Sequence, residues 1–77
     1  MPTVLREAGY RFHFFSADGH EPPHVHVDGR GRKAKAWLQE VRIAKNGGFS
    51  EVELRHIMQI VSKNRDSLLE AWNDFFA

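Results

Sequence analysis

The chain has no cysteine among its 77 residues. That removes disulfides and every thiolate metal site, and it suits a reducing compartment. No apolar run approaches the roughly 20 residues that span a bilayer, and the stretch Met1-Pro2-Thr3-Val4-Leu5-Arg6-Glu7 has no apolar core of the kind that targets a chain for export. The expectation is a soluble, cytoplasmic protein with no membrane partner. Gly-rich phosphate loops, nucleophile elbows and dinucleotide fingerprints are all missing; Gly29-Arg30-Gly31 is too short to be one. The formal net charge is only +1, less basic than a domain dedicated to nucleic acid would normally be. A chain this short makes one domain, residues 1–77, with one small core that buries little more than about 60% of its unfolded surface.

What the chain does have is histidine, and most of it lies in one place. From Asp18 to Asp28, three histidines, His20, His24 and His26, stand beside Pro22, Pro23 and the carboxylates of Asp18, Glu21 and Asp28. Imidazole is both a good metal ligand and a proton carrier near neutral pH. Pro22 and Pro23 fix φ, and Pro23 pushes Pro22 toward an extended conformation. His24-Val25-His26-Val27 then alternates strictly, which predicts a strand with both valines on one face and both histidines on the other. Two imidazoles so placed can serve one metal ion, zinc or nickel, with His20 swinging in from the loop as a third ligand. They can equally act as general acid and base, or be no more than the polar face of an edge strand.

Alternation also marks Tyr10–Phe15, Lys33–Leu38 and Val41–Ile43, with a weaker strand at Thr3–Arg6. Asp28-Gly29-Arg30-Gly31 predicts a tight hairpin, Ala17-Asp18-Gly19 a loop and Gln39-Glu40 a two-residue connection. After Lys45-Asn46-Gly47-Gly48 the period becomes helical. Ser50 and Glu53 have the spacing of a capping box, Phe49 can staple the first turn, and Leu54, Ile57, Met58, Val61, Leu68, Leu69, Trp72, Phe75 and Phe76 recur at three- and four-residue steps. The lapse at Lys63–Ser67 predicts a break near Asn64 and hence two helices. The fold class is therefore α+β: a small antiparallel sheet of three or four strands, over residues 3–45, followed by two helices, over 50–76, packed on one face.

Alternation assigns Tyr10, Phe12, Phe14, Val25, Val27, Ala34, Ala36, Leu38, Val41 and Ile43 to the helix side. Arg11, His13, Phe15, His24, His26, Lys33, Lys35, Trp37 and Arg42 share the other face. With the basic run at Arg30, Arg32, Lys33 and Lys35, that face supplies cations for phosphates and a Trp for stacking. Arg11, His13, Arg30, Arg32, Lys33, Lys35 and Trp37 are the candidate RNA contacts. Solvation and cross-strand packing explain such a face equally well. His56 reads as a boundary residue.

The Met1-Pro2-Thr3 start, the aromatic strand Tyr10–Phe15, the loop from His20 through Pro22-Pro23-His24-Val25-His26 to Val27, and the run from Asn64 to Trp72 together resemble the bacterial domain-of-unknown-function 4160 family. The Pro-Pro-His-x-His-Val core is the most specific part. The resemblance implies a tiny cytoplasmic protein, often encoded beside a second small protein and linked by that to toxin–antitoxin modules. It carries over Pro22, Pro23, His24 and His26 as a motif, with no catalytic role attached; Glu21 stands where an amide is common.

Two functions of different classes follow. One is a toxin–antitoxin-like binding module whose sheet face meets a protein partner or RNA. The other is a small hydrolase or ribonuclease in which His24 and His26 transfer protons or hold a metal-bound water while Lys33 or Lys35 meets phosphate charge. Nine aromatics, with Phe14, Phe15, Trp37, Phe75 and Phe76 at strand or chain ends, further imply a homodimer or a complex with the neighbouring gene's product.

Overall fold

The computed structural model describes residues 3–77. Five strands, β1 (Thr3–Glu7), β2 (Tyr10–His13), β3 (His24–Gly29), β4 (Arg32–Trp37) and β5 (Arg42–Gly47), form an antiparallel meander in chain order. Helices α1 (Glu51–Lys63) and α2 (Arg65–Phe75) follow. The α+β class holds, with five strands in place of three or four. The weak segment at Thr3 is a full edge strand because Ala8 and Gly9 both adopt positive φ, 54° and 85°, and so turn β1 back onto β2 through a two-residue loop. Arg30 and Gly31 repeat the device at 52° and 76°, closing the expected hairpin between β3 and β4.

Three boundaries differ from those read in the sequence. The aromatic strand stops at His13, because Phe15 gives its N–H to the Asp18 carboxylate and starts a 3₁₀ helix, Ser16–His20, where a plain loop was expected. The β4–β5 connection takes the four residues 38–41, since Leu38 is buried and bonds its N–H to the Pro23 carbonyl at 3.0 Å. Strand β5 continues through Asn46 and Gly47, beyond the Val41–Ile43 run that alternation marks. A Cβ on Gly47 would lie 2.5 Å from the Lys33 carbonyl oxygen, so only glycine allows this approach.

The helix side matches the alternation. Phe12, Phe14, Val25, Val27, Ala36 and Leu38 are fully buried against Ile57, Ile60, Val61, Leu68 and Trp72 in one core, with Val41 and Ile43 partly buried at its margin. Ser50 caps α1 reciprocally with Glu53, and Phe49 is buried edge-on to Tyr10. The break falls at Asn64, whose side chain bonds the Ile60 carbonyl at 2.8 Å. Arg65 then ties the start of α2 to the carbonyls of Leu38 and Gln39.

Candidate functional site

Register builds the outer face in three cross-strand rows. His13, His26, Lys35 and Lys45 form one; Arg11, Asp28, Lys33 and Gly47 the second; His24, Trp37 and Arg42 the third. Two of the residues assigned to solvent are in fact buried: His24 is 0% exposed and His13 is 2% exposed. His24 is covered by the 3₁₀ helix, which folds Asp18 over it and His26, together with Trp72, whose ring lies 5.1 Å away; His13 packs between the rings of Phe15 and His26. The helix is held down in turn by Phe76, 2.7 Å from where a Cβ on Gly19 would be.

Asp18, His24 and His26 converge, with one ligand atom from each lying within 4.8 Å of the others. His26 Nε2 is 2.9 Å from Asp18 Oδ2, which also accepts the Phe15 N–H at 2.9 Å. His24 Nε2 stands 3.2 Å from the same oxygen without hydrogen-bond alignment, so this buried nitrogen has no hydrogen-bond partner. The other ring nitrogen is settled. His24 Nδ1 lies 3.0 Å from the Pro22 carbonyl oxygen, which can only accept, so the proton is on Nδ1. Pro22 thus fixes the tautomer of His24, and Nε2 directs a lone pair at a carboxylate.

The electrostatics agree. Burial lowers the pKa of His26, against the opposing pull of Asp18. Burial likewise lowers that of His13, with Asp28 opposing. For Asp18, burial acts to raise the pKa, but the Phe15 N–H and the two histidines outweigh it and hold the carboxyl below its ordinary range. Around this cluster Lys35 bonds Glu21 at 2.5 Å, keeps the Glu21 carboxyl low, and rests its ammonium 4.8 Å above Trp37.

Of the histidines expected to share a ligand set, His24 and His26 come together while His20 lies exposed at the end of the 3₁₀ helix, outside the converging group. Asp18 occupies the third position. Three residues per turn put Phe15 and Asp18 on one side of the 3₁₀ helix and carry His20 to another. An acid eight residues before His26 was the available signal, but only the helical turn makes it point inward.

The candidate RNA contacts divide. Lys33, Lys35 and Trp37 share the outer face, where His26, Lys33, Lys35 and Lys45 line an open groove of about 350 Å³. Arg30 and Arg32 point to the helix side and pair with Glu53, Arg11 pairs with Asp28 at 3.1 Å, and His13 is buried. Lys45 was not among the sequence candidates, because it lies beyond the Val41–Ile43 alternation.

Residues 9–73 match the family described as Domain of unknown function (DUF4160). The chain belongs to the DUF4160 family. The match runs from the start of β2 through most of α2 and includes Asp18, His24 and His26, so the whole cluster lies within the DUF4160 region. No curated protein and no solved structure matches the chain. No helix among the described residues is long and apolar enough to cross a membrane.

Proposed function

We propose that this DUF4160 chain is a binding module for single-stranded RNA, as a toxin–antitoxin-like component would be, using the outer face of β4 and β5. The observation that carries the reading is a set of uncommitted cations. Lys33, Lys45 and Arg42 have no acidic partner among the described residues, nor do Arg6 on β1 and Arg55 on α1, whereas Arg11, Arg30, Arg32, Lys35 and Lys63 are all paired. Lys33 and Lys45 flank the groove beside His26 and Lys35. One row further along the sheet, Trp37 and Arg42 line a second cavity, of about 330 Å³, with Pro22 and Pro23. Phosphates against lysine beside a base against Trp is the arrangement by which open sheets bind single strands.

A protein partner, whether a second copy or the neighbouring gene's product, has less to hold. Among the described residues the large exposed apolar side chains are Val52 and Phe75. Fluorescence anisotropy with a labelled single-stranded RNA at several salt concentrations tests the reading. Lys33→Ala and Lys45→Ala should each lower the salt slope by roughly 0.7, one phosphate contact apiece. Trp37→Ala should cost about 1–3 kcal/mol if a base stacks there. Absence of salt-dependent binding by the wild type at low ionic strength overturns the proposal.

A further inference from the structure

Independently of RNA binding, we propose that Asp18, His24 and His26 bind one divalent transition-metal ion, zinc being the ion whose ordinary geometry they fit. The argument begins with His24 Nε2, a fully buried nitrogen that has no hydrogen-bond partner and faces Asp18 Oδ2 at 3.2 Å. The Pro22 carbonyl holds a proton on Nδ1, so in the neutral ring Nε2 directs its lone pair at the Asp18 carboxylate. Left so, the pair is repulsive, and a buried polar atom without a partner costs about 1–3 kcal/mol. A cation bound by both atoms turns the repulsion into two ligand bonds.

The spacing suits this. A tetrahedral zinc site with bonds of about 2.0–2.1 Å has donor atoms about 3.3 Å apart. The two edges at Asp18 Oδ2 are 2.9 and 3.2 Å and all three donor atoms lie within 4.8 Å of one another, so modest side-chain adjustments admit the ion. Two imidazoles and a carboxylate form a donor set of borderline softness, which suits zinc, nickel or cobalt and not magnesium or calcium. Ligation asks one rearrangement. His26 now donates through Nε2 to Asp18; its single proton moves to Nδ1 through solvent, which frees Nε2 without changing the ring's charge.

The supporting contacts belong to a built site. His24 is oriented through Nδ1 by a backbone carbonyl, and Asp18 is fixed by the Phe15 N–H, the outer contacts that metal ligands ordinarily need. Both histidines sit on β3, which is paired on both sides near His26, so the protein supplies a rigid edge and the 3₁₀ helix closes it with the carboxylate. Three protein ligands leave the fourth position to water or substrate, as in catalytic zinc sites.

The test uses the full, untagged chain, stripped with a chelator and titrated with Zn²⁺ by calorimetry and with Co²⁺ by visible absorption. One ion per chain, tetrahedral cobalt bands and a higher thermal midpoint with zinc are expected. Because His24 is fully buried and its removal endangers folding, the informative variants are Asp18→Asn and His26→Gln, checked for native near-ultraviolet circular dichroism. Each should bind zinc at least tenfold more weakly. A His20→Ala/His56→Ala variant, which removes the exposed imidazoles, should bind as tightly as wild type. Failure of the wild type to bind, or loss of binding in the His20→Ala/His56→Ala variant with retention in Asp18→Asn, overturns the proposal.

Discussion

Replacing His13 with phenylalanine should stabilise the protein, contrary to the usual result of altering a buried residue. The His13 ring is 2% exposed, stacks on His26 at 5.6 Å, meets Phe15 edge-on at 5.1 Å, and leaves Nδ1 without a hydrogen-bond partner. An unsatisfied buried polar atom costs about 1–3 kcal/mol. The ring's electrostatic recompense is small: Nε2 lies 4.0 Å from an Asp28 carboxylate already bonded to Arg11, and the Arg11 backbone contributes least. Phenylalanine keeps the ring, its stacking partners and nearly the volume while removing the orphaned nitrogen. A gain of up to about 2 kcal/mol is expected, after about 1 kcal/mol for imperfect repacking. At about 4–8 °C per kcal/mol for a domain of this size, each kcal/mol gained should raise the thermal midpoint by about 4–8 °C.

The pH profile gives a second reading of the same change. Burial, reinforced by Arg11 and His26, lowers the folded-state pKa of His13 below its ordinary 6.5. The unfolded chain therefore takes up the proton first as pH falls. Stability is fullest above pH 6.5 and declines as pH drops through the lowered folded value, by at most about 1.4 kcal/mol per pH unit for this one group. His26 is shifted in the same direction, so His13→Phe should flatten the decline without abolishing it. Urea denaturation of chelator-treated protein at pH 7.5 and pH 5.5 measures both effects. A variant less stable than wild type at pH 7.5, or an unchanged difference between the two pH values, would refute the reasoning.

Two backbone predictions follow from turn and ladder geometry. Ala8→Gly should stabilise by about 1 kcal/mol in thermal melts, because Ala8 pays for a left-handed φ of 54° that glycine adopts freely. Gly47→Ala should destabilise by about 1–3 kcal/mol in urea, because its methyl meets the Lys33 carbonyl at 2.5 Å and β4 must shift to admit it.

Much of the fold could be read from the chain, since its signals are local. Alternation picked out Phe12, Val25, Val27 and Ala36 as core, the capping pair Ser50 and Glu53 set the start of α1, and Asn64 marked the break. The failures have one kind of cause. Alternation says which face a residue takes and nothing about what later covers that face. His13 and His24 were placed toward solvent, and they do lie on the outer face; there the 3₁₀ helix and Trp72 cover His24, while Phe15 and His26 pack on His13. Asp18 was visible as a carboxylate near the histidines, but its inward direction depends on a reciprocal bond with Phe15 that no periodicity announces. Lys45 was hidden because visible alternation ends at Ile43, whereas the strand runs on to Gly47, which allows a close approach between strands.

Self-association is the last test, and here the structure alters the premise. The aromatic count argued that a domain so small could not bury its rings and had to cover them with a partner. The fold buries five of the nine, Tyr10, Phe12, Phe14, Phe49 and Trp72, and half-buries Phe15, Trp37 and Phe76. Phe14 is 0% exposed beneath Trp72, Phe76 packs on Trp72 at 4.2 Å and against Gly19, and Lys35 covers a face of Trp37. Only Phe75, at 38%, and Val52, at 68%, remain as large exposed apolar side chains among the described residues, one on the last turn of α2 and the other on the first turn of α1. A stable dimer buries about 800 Å² on each partner around an apolar centre, and two separated side chains do not make one. The β5 edge carries Arg42 and Lys45, charges that discourage strand-to-strand addition. Light scattering of the purified chain should give the monomer mass, 8.9 kDa, at every micromolar concentration tried. A mass of twice that value, unchanged on dilution, would show that some surface other than the aromatics drives assembly.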